Sequence, residues 1–318
     1  MIVTVTLNAA LDRILTVPNF RLGHRHRASE GVALAGGKGI NIARALKRLD
    51  VPVVATGLVG GRTGGRILEE LRAEGILHDF VPIQDESQTS TTVVDPSGSS
   101  YTEIYEQGPA VEPGELELLL EKLHYLARGA DWVVFAGSLP RKVEAAFYAE
   151  AIRDLNRRGV RTALDAEGEP LRLGVEAEPF LVSPNEREAE ALVGQEFNEE
   201  ADFAQALDDI AEQGPRNVLI AEASGCFALF REERERRRFR VVAPQLEVVS
   251  PVGSADVLLA GFIAAHVAER PLEEALRNAV AVGAASTLAV GAGRFEPREA
   301  GRLLPSVVAV ELASAHVS

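Results

Sequence analysis

The sequence predicts an α/β protein built on a mostly parallel sheet with helices on both faces. Two observations carry this. Short apolar segments of strand type alternate with amphipathic or apolar helical segments along most of the chain, as parallel strands joined by crossover helices do. The 318 residues, 46% hydrophobic and 25% charged, can also bury a sizeable core without staples. The single cysteine, Cys226, excludes an internal disulfide and a cysteine metal cage.

Residues 1–7 alternate apolar side chains with threonine and read as a strand. Ala35-Gly36-Gly37-Lys38-Gly39 leads into a helix in which Ile42, Ala45, Leu46 and Leu49 recur at helical spacing. Residues 51–58 follow as a strand, 60–65 as a glycine-rich turn and 67–74 as a helix. The β-branched run 89–94 pairs with 101–105 across Pro96-Ser97-Gly98. Residues 116–126 and 145–158 are helices, and 132–135, 161–164 and 179–182 are strands. A helix opens over 185–194, and 217–220 is a strand. Residues 226–230 and 239–242 make a hairpin, and 255–267 and 272–290 are apolar helices. The segments near 13–33 and 87–106 break the alternation and predict a small separate sheet.

The formal net charge is −14, which argues against nucleic acid as a partner. The mixed-sign run 231–240 reads as a solvated hairpin tip. No apolar run approaches the ~20 residues that a membrane helix needs. The N-terminus reads as a strand and not as a leader, so a cytoplasmic protein is expected. Lysine is scarce, with Lys38, Lys47, Lys122 and Lys142 against a background of arginine, so Lys38 in a glycine loop stands out.

A P-loop, a zincin helix motif and a nucleophile elbow are all missing from the sequence. Three other segments carry chemistry. Gly36-Gly37-Lys38-Gly39-Ile40-Asn41 lets backbone N–H groups approach a ligand at a helix start, and suits a polyol or a phosphate. Its bland reading is a glycine turn before a helix. Gly253-Ser254-Ala255-Asp256 opens an apolar helix with small residues, which suits an anion. A first-turn carboxylate there can take a proton from a hydroxyl nucleophile, or simply cap the helix. Asn185 and Glu188 share a helical face and can hold hydrated Mg²⁺, or form a capping box.

In this order the segments resemble the PfkB (ribokinase-like) carbohydrate kinases, and within them the 1-phosphofructokinase and tagatose-6-phosphate kinase branch. The resemblance rests on TVTLNAALD, AGGKGINIARAL, YTEIYEQGP at 101–109, AGSLP at 136–140, PN..E at 184–188 and VGSAD at 252–256. It covers essentially the whole chain. It implies a three-layer α/β/α sandwich on a single domain, 1–318, with a β lid formed by the 13–33 and 87–106 segments. It implies transfer of the ATP γ-phosphoryl group to a hydroxyl of fructose 1-phosphate or tagatose 6-phosphate.

Carried onto this chain, Asp256 is the catalytic base and the backbone of Gly253, Ser254 and Ala255 forms the anion hole. Asp12, Gly37 and Asn41 hold sugar hydroxyls, and Ser138 lines the sugar pocket. Lys38 and Arg27 contact the substrate phosphate. Asn185 and Glu188 manage Mg²⁺. A homodimer with lids in contact is also implied.

The chain departs from the family pattern at several points. Ala255 replaces a glycine, and predicts strain if that position needs a positive φ. Ala221-Glu222-Ala223-Ser224-Gly225-Cys226 replaces the nucleotide loop, with both expected glycines lost and Glu222 bringing a negative charge toward ATP. In the lid, Gln88 and Ser90 replace the usual arginine and asparagine. Two alternatives to the sugar-phosphate kinase therefore stand: a sugar-phosphate binding protein of impaired turnover, and a kinase with an unphosphorylated sugar or nucleoside as acceptor.

Overall fold

The segment IVTVT forms β1 (Ile2–Thr6), buried over its whole length. After it come β2 (Ala10–Thr16), β3 (Glu30–Gly36), α1 (Lys38–Arg48), β4 (Val53–Gly60), α2 (Gly61–Ala73), β5 (His78–Ile83), β6 (Gln88–Asp95), β7 (Ser100–Tyr105) and α3 (Pro113–Ala127). The middle of the chain gives β8 (Trp132–Ala136), α4 (Phe147–Arg157), β9 (Arg161–Asp165), α5 (Gly168–Val175), β10 (Leu181–Val182), α6 (Glu186–Val193) and α7 (Glu200–Glu212). The last elements are β11 (Asn217–Glu222), β12 (Gly225–Glu232), β13 (Glu235–Val242), α8 (Ser254–Val267), α9 (Leu272–Ser286), α10 (Pro297–Leu303) and β14 (Val308–Leu312). This computed structural model describes residues 1–98, 100–232 and 235–312. No helix among them is long and apolar enough to cross a membrane.

The large sheet has ten strands in the order β14-β13-β12-β11-β10-β9-β8-β1-β4-β5. From β11 to β5 neighbours run parallel, while β12, β13 and β14 extend the other edge antiparallel. Alternate residues of the central strands enter two separate apolar cores. One lies under α1, α2, α8, α9 and α10, and the other under α3 to α7. This is the expected three-layer sandwich, and burial on both faces explains strands as apolar as WVVFA.

The four strands β3-β2-β6-β7 form the separate small sheet. Its two strand pairs come from the expected segments, with shifted bounds. β2 starts at Ala10 and β3 ends at Gly36, and the stretch between them contains the charged connection.

The 60–65 turn is corrected: Gly60 ends β4, and Gly61, Gly64 and Gly65 belong to α2. The helix starts there because the Glu86 carboxylate accepts from the N–H groups of Arg62 and Thr63, satisfying two donors that a helix start leaves open. That partner lies over twenty residues away and is invisible locally. Five elements had no expectation: β5, α5, α7, α10 and β14. β5 carries Pro82, which its edge position tolerates.

The β11–β12 turn also differs from expectation. Glu222 pairs with Gly225, so the loop holds only Ala223 and Ser224. Gly225 opens β12 directly after this turn. Its φ is 153°, and a Cβ there would overlap the carbonyl of Val241 on β13. The tip of the β12–β13 hairpin, residues 233–234, lies outside the described residues. Gly225→Ala should destabilise the protein by more than ~1 kcal/mol, read as a lower urea midpoint at unchanged slope.

Candidate active site

The parallel strands end on one side of the sheet, and the small sheet faces those ends across a cleft of about 1360 Å³. Ligands bind at the carboxyl ends of strands in such sheets because loops and helix N-termini converge there. Thr6, Ala136 and Ala221 line the floor, and Asp12, Gln88, Ser90 and Glu103 line the wall formed by the small sheet.

Asp256 sits in the first turn of α8 and is 4% exposed. Asn41 of α1 donates Nδ2 to its Oδ2 at 2.8 Å. Arg44, one helical turn on, fixes that amide by donating to its Oδ1 at 3.1 Å. The Arg44 guanidinium is fully engaged, with Glu74 at 2.6 Å and the carbonyls of Ala35 and Ala292. Burial pushes the Asp256 pKa up to about 8; Asp165 adds to the rise, while Lys38 and the Asn41 hydrogen bond oppose it.

Lys38 lines the cleft, and carboxylates engage its side chain there. Its Nζ donates to Asp165 at 2.6 Å and to Glu188 at 2.8 Å. Burial opposes its charge, yet the carboxylates of Asp165, Glu188 and Asp256 outweigh burial and hold its pKa above the ordinary value. The reason is proximity: α1 begins where β9 ends, and three buried acids need a cation. Asp165 had not been singled out. It closes β9, is 1% exposed, and its Oδ2 is buried without a hydrogen-bond partner.

Asn185 and Glu188 do form a capping box. Asn185 accepts from the Glu188 N–H at 3.0 Å, and Glu188 accepts from the Asn185 N–H at 2.8 Å. The other Glu188 oxygen takes Lys38. Burial, then the Asp165 charge, raise the Glu188 pKa.

Asp12 faces the cleft from β2 and overlies Gly36, where there is no room for a Cβ. Burial raises its pKa to about 6, against the opposing charge of Arg44. Ser138 accepts a hydrogen bond from Asn8 at 3.0 Å, and both line the cleft with Gly37. Asn8 is a further residue without an expectation; its Oδ1 is buried and unpartnered. Arg27 is exposed on the β2–β3 connection and does not line the cleft.

Ala255 is not strained. The left-handed residue is Gly253, φ 78°, and Ala255 is an ordinary helical residue of α8. The first-turn N–H groups have no helical partners, and Gly253, Ser254 and Ala255 border the cleft. Glu222 does not direct a free charge at a nucleotide. Arg240 pairs with it at 2.6 Å, and Ser224 donates to it from both its N–H and its hydroxyl.

A buried carboxylate beside open N–H groups at a helix start, facing a polar wall, defines a site for group transfer to a hydroxyl. The pfkB family carbohydrate kinase model matches residues 3–299, and the chain belongs to that family. It is 33% identical over 312 residues to the 1-phosphofructokinase of Bacillus subtilis, covering 98% of this chain and 100% of that protein. It is 28% identical to the tagatose-6-phosphate kinase of Staphylococcus epidermidis, covering 98% and 100% of the two chains. Phosphofructokinase-2 of Escherichia coli, solved in complex with substrates and products, superposes with a TM-score of 0.88 at 26% identity, covering 96% of this chain and 98% of that one. The chain is accordingly a phosphotransferase acting on a hydroxyl, and the kinase family implies ATP as donor.

The raised Asp256 pKa has a consequence for stability. The folded protein keeps a proton that an unfolded aspartate releases near about 4. That favourable contribution is complete below about 4 and is lost as pH rises through about 8. Asp256→Asn removes the loss. The variant should therefore gain melting temperature over the parent at about pH 8.5 and gain little near about pH 4.5; equal shifts at both would contradict the assignment.

Proposed function

We propose that the chain transfers the γ-phosphoryl group of ATP to a hydroxyl of a ketohexose phosphate, with Asp256 as general base. The names of its relatives point to fructose 1-phosphate or tagatose 6-phosphate. The observation that carries the reading is the placement of Asp256, buried in the first turn of α8 and oriented by Asn41. The acceptor oxygen attacks the γ-phosphorus, its proton passes to Asp256, and the bond to the ADP oxygen breaks. The N–H groups of Gly253 and Ala255 meet the charge on the transferring group, while the Ser254 N–H donates to the Pro251 carbonyl at 3.2 Å and holds the turn. Asp12, Gly37, Asn41 and Ser138 hold the sugar hydroxyls, and Asn8 joins them through Ser138.

Mg²⁺ fits the donor set as a hydrated ion. Among the described residues no three acids converge as direct ligands. The unpartnered Oδ2 of Asp165 and the Glu188 carboxylate can hold its waters, with Asn185 positioned by the capping box. Bound there, Mg²⁺ would neutralise the donor phosphates. The small sheet serves as a lid on a single domain, and its exposed Val32, Tyr101 and Ile104 support a homodimer. Arg27 reaches a substrate phosphate only if the β2–β3 connection closes over the cleft.

One observation favours a second reading, an acceptor without a phosphate. The cations lining the cleft among the described residues are Lys38, Arg44 and Arg187. Lys38 and Arg44 are committed to internal carboxylates, while Asp12 and Glu103 face the sugar end.

A coupled ADP-release assay with Mg²⁺ separates the readings. The panel holds fructose 1-phosphate, tagatose 6-phosphate, fructose 6-phosphate, fructose and ribose. Turnover with a phosphorylated ketose is expected, rising with pH toward about 8 as Asp256 ionises. Asp256→Asn should lower kcat by a factor on the order of 10² or more at similar KM. Turnover with free sugars alone would establish the second reading, and silence with sugar-dependent thermal stabilisation would identify a binding protein.

A further inference from the structure

A second groove, of about 1310 Å³, lies at the other end of the parallel strands. Arg161 opens β9, and Arg216 directly precedes β11. Both guanidinium groups lie over the ring of Phe180, each 5.6 Å from its centroid. They are therefore no farther apart than twice that distance. Phe180 is itself fixed edge-on against Trp132 at 5.1 Å and against His266 at 5.6 Å.

The two arginines share an aromatic platform, and the groove wall also carries the carboxylates of Glu235 and Glu269. Among the described residues neither forms an ion pair with a carboxylate. Asp131, whose charge Arg161 feels, is taken by the N-terminal ammonium group. Glu232 on the groove wall is bound by Arg237 at 2.9 Å. Arg231 lines the same groove, but its Nη2 is committed to the Ala211 carbonyl at 2.7 Å. Neighbouring unpaired cations are unexpected in a chain of net charge −14, where mutual repulsion is relieved most readily by an anion.

Guanidinium forks bind phosphate oxygens in pairs, and stacking on an aromatic ring orients the fork before the ligand arrives. Two forks on one ring suit a ligand with charge at more than one point. We propose that this groove is a binding site for a small phosphate-bearing anion of at least two negative charges, held by Arg161 and Arg216. Nothing in it depends on what the cleft phosphorylates. The groove and the cleft do share β9, since Arg161 starts that strand and Asp165 ends it, roughly 13 Å away.

The test uses the full chain and pyrophosphate as the probe, titrated calorimetrically in about 0.1 M NaCl to screen nonspecific attraction. Trp132 is the one tryptophan in the sequence and packs on Phe180, so its fluorescence reports on this groove. Saturable binding is expected, with a fluorescence change at the same midpoint. The double variant R161Q/R216Q should weaken that binding at least tenfold. Both side chains are exposed, so its unfolding midpoint should match the parent's. Absence of saturable binding overturns the proposal. So does binding that the double variant weakens less than tenfold, since pyrophosphate would then be occupying the cleft.

Discussion

Three buried acids, Asp165, Glu188 and Asp256, surround one lysine, and the geometry of the cleft depends on that imbalance. Removing a carboxylate from water is unfavourable unless it is paired and hydrogen-bonded. Lys38 pairs with two of the three at 2.6 and 2.8 Å. Asp256 is left to Asn41 and to a raised pKa. One lysine thus ties the start of α1 to the end of β9 and to α6, three elements that meet only in the folded sheet.

The same chain of contacts orients the Asp256 carboxylate. Glu74 and two carbonyls hold Arg44, Arg44 holds the Asn41 amide, and Asn41 holds Asp256. Asn41, Arg44 and Asp256 are buried and Glu74 is half-buried, so the carboxylate has little freedom to turn. A catalytic base needs this kind of preorganisation. The cleft around the β11–β12 turn is arranged by the same economy. Glu222 lies at the mouth of the cleft, but Arg240 and Ser224 consume its charge, and a glycine at 225 keeps the turn short.

Much of this was legible in the sequence. The glycine signature, Asn41 and Asp256 stood out because loops before helices have few physical uses for such residues. The sandwich followed from the alternation of strand and helix. The missed features share a cause: each depends on a partner distant in sequence. Asp165 looked like the polar end of a strand, since TALD gives no hint that Lys38 lies beside it. Lys38 was visible, but the direction of its side chain was not. The start of α2 depends on Glu86, and the neutrality of Glu222 depends on Arg240 two strands away. Strain at Ala255 was conditional on a positive φ there, and the sequence does not say which residue of the turn adopts it; Gly253 does.

The account rests on Lys38 as the counter-charge of the buried acids, and urea unfolding of Lys38→Met at two pH values tests that most directly. At about pH 8 the uncompensated carboxylates should reduce stability by roughly 2–4 kcal/mol. Near about pH 5 the loss should shrink, because folded carboxylates without their cation take up protons more readily than the unfolded chain does. A loss below about 1 kcal/mol at pH 8, or one of equal size at both values, would show that Lys38 does not hold the site together.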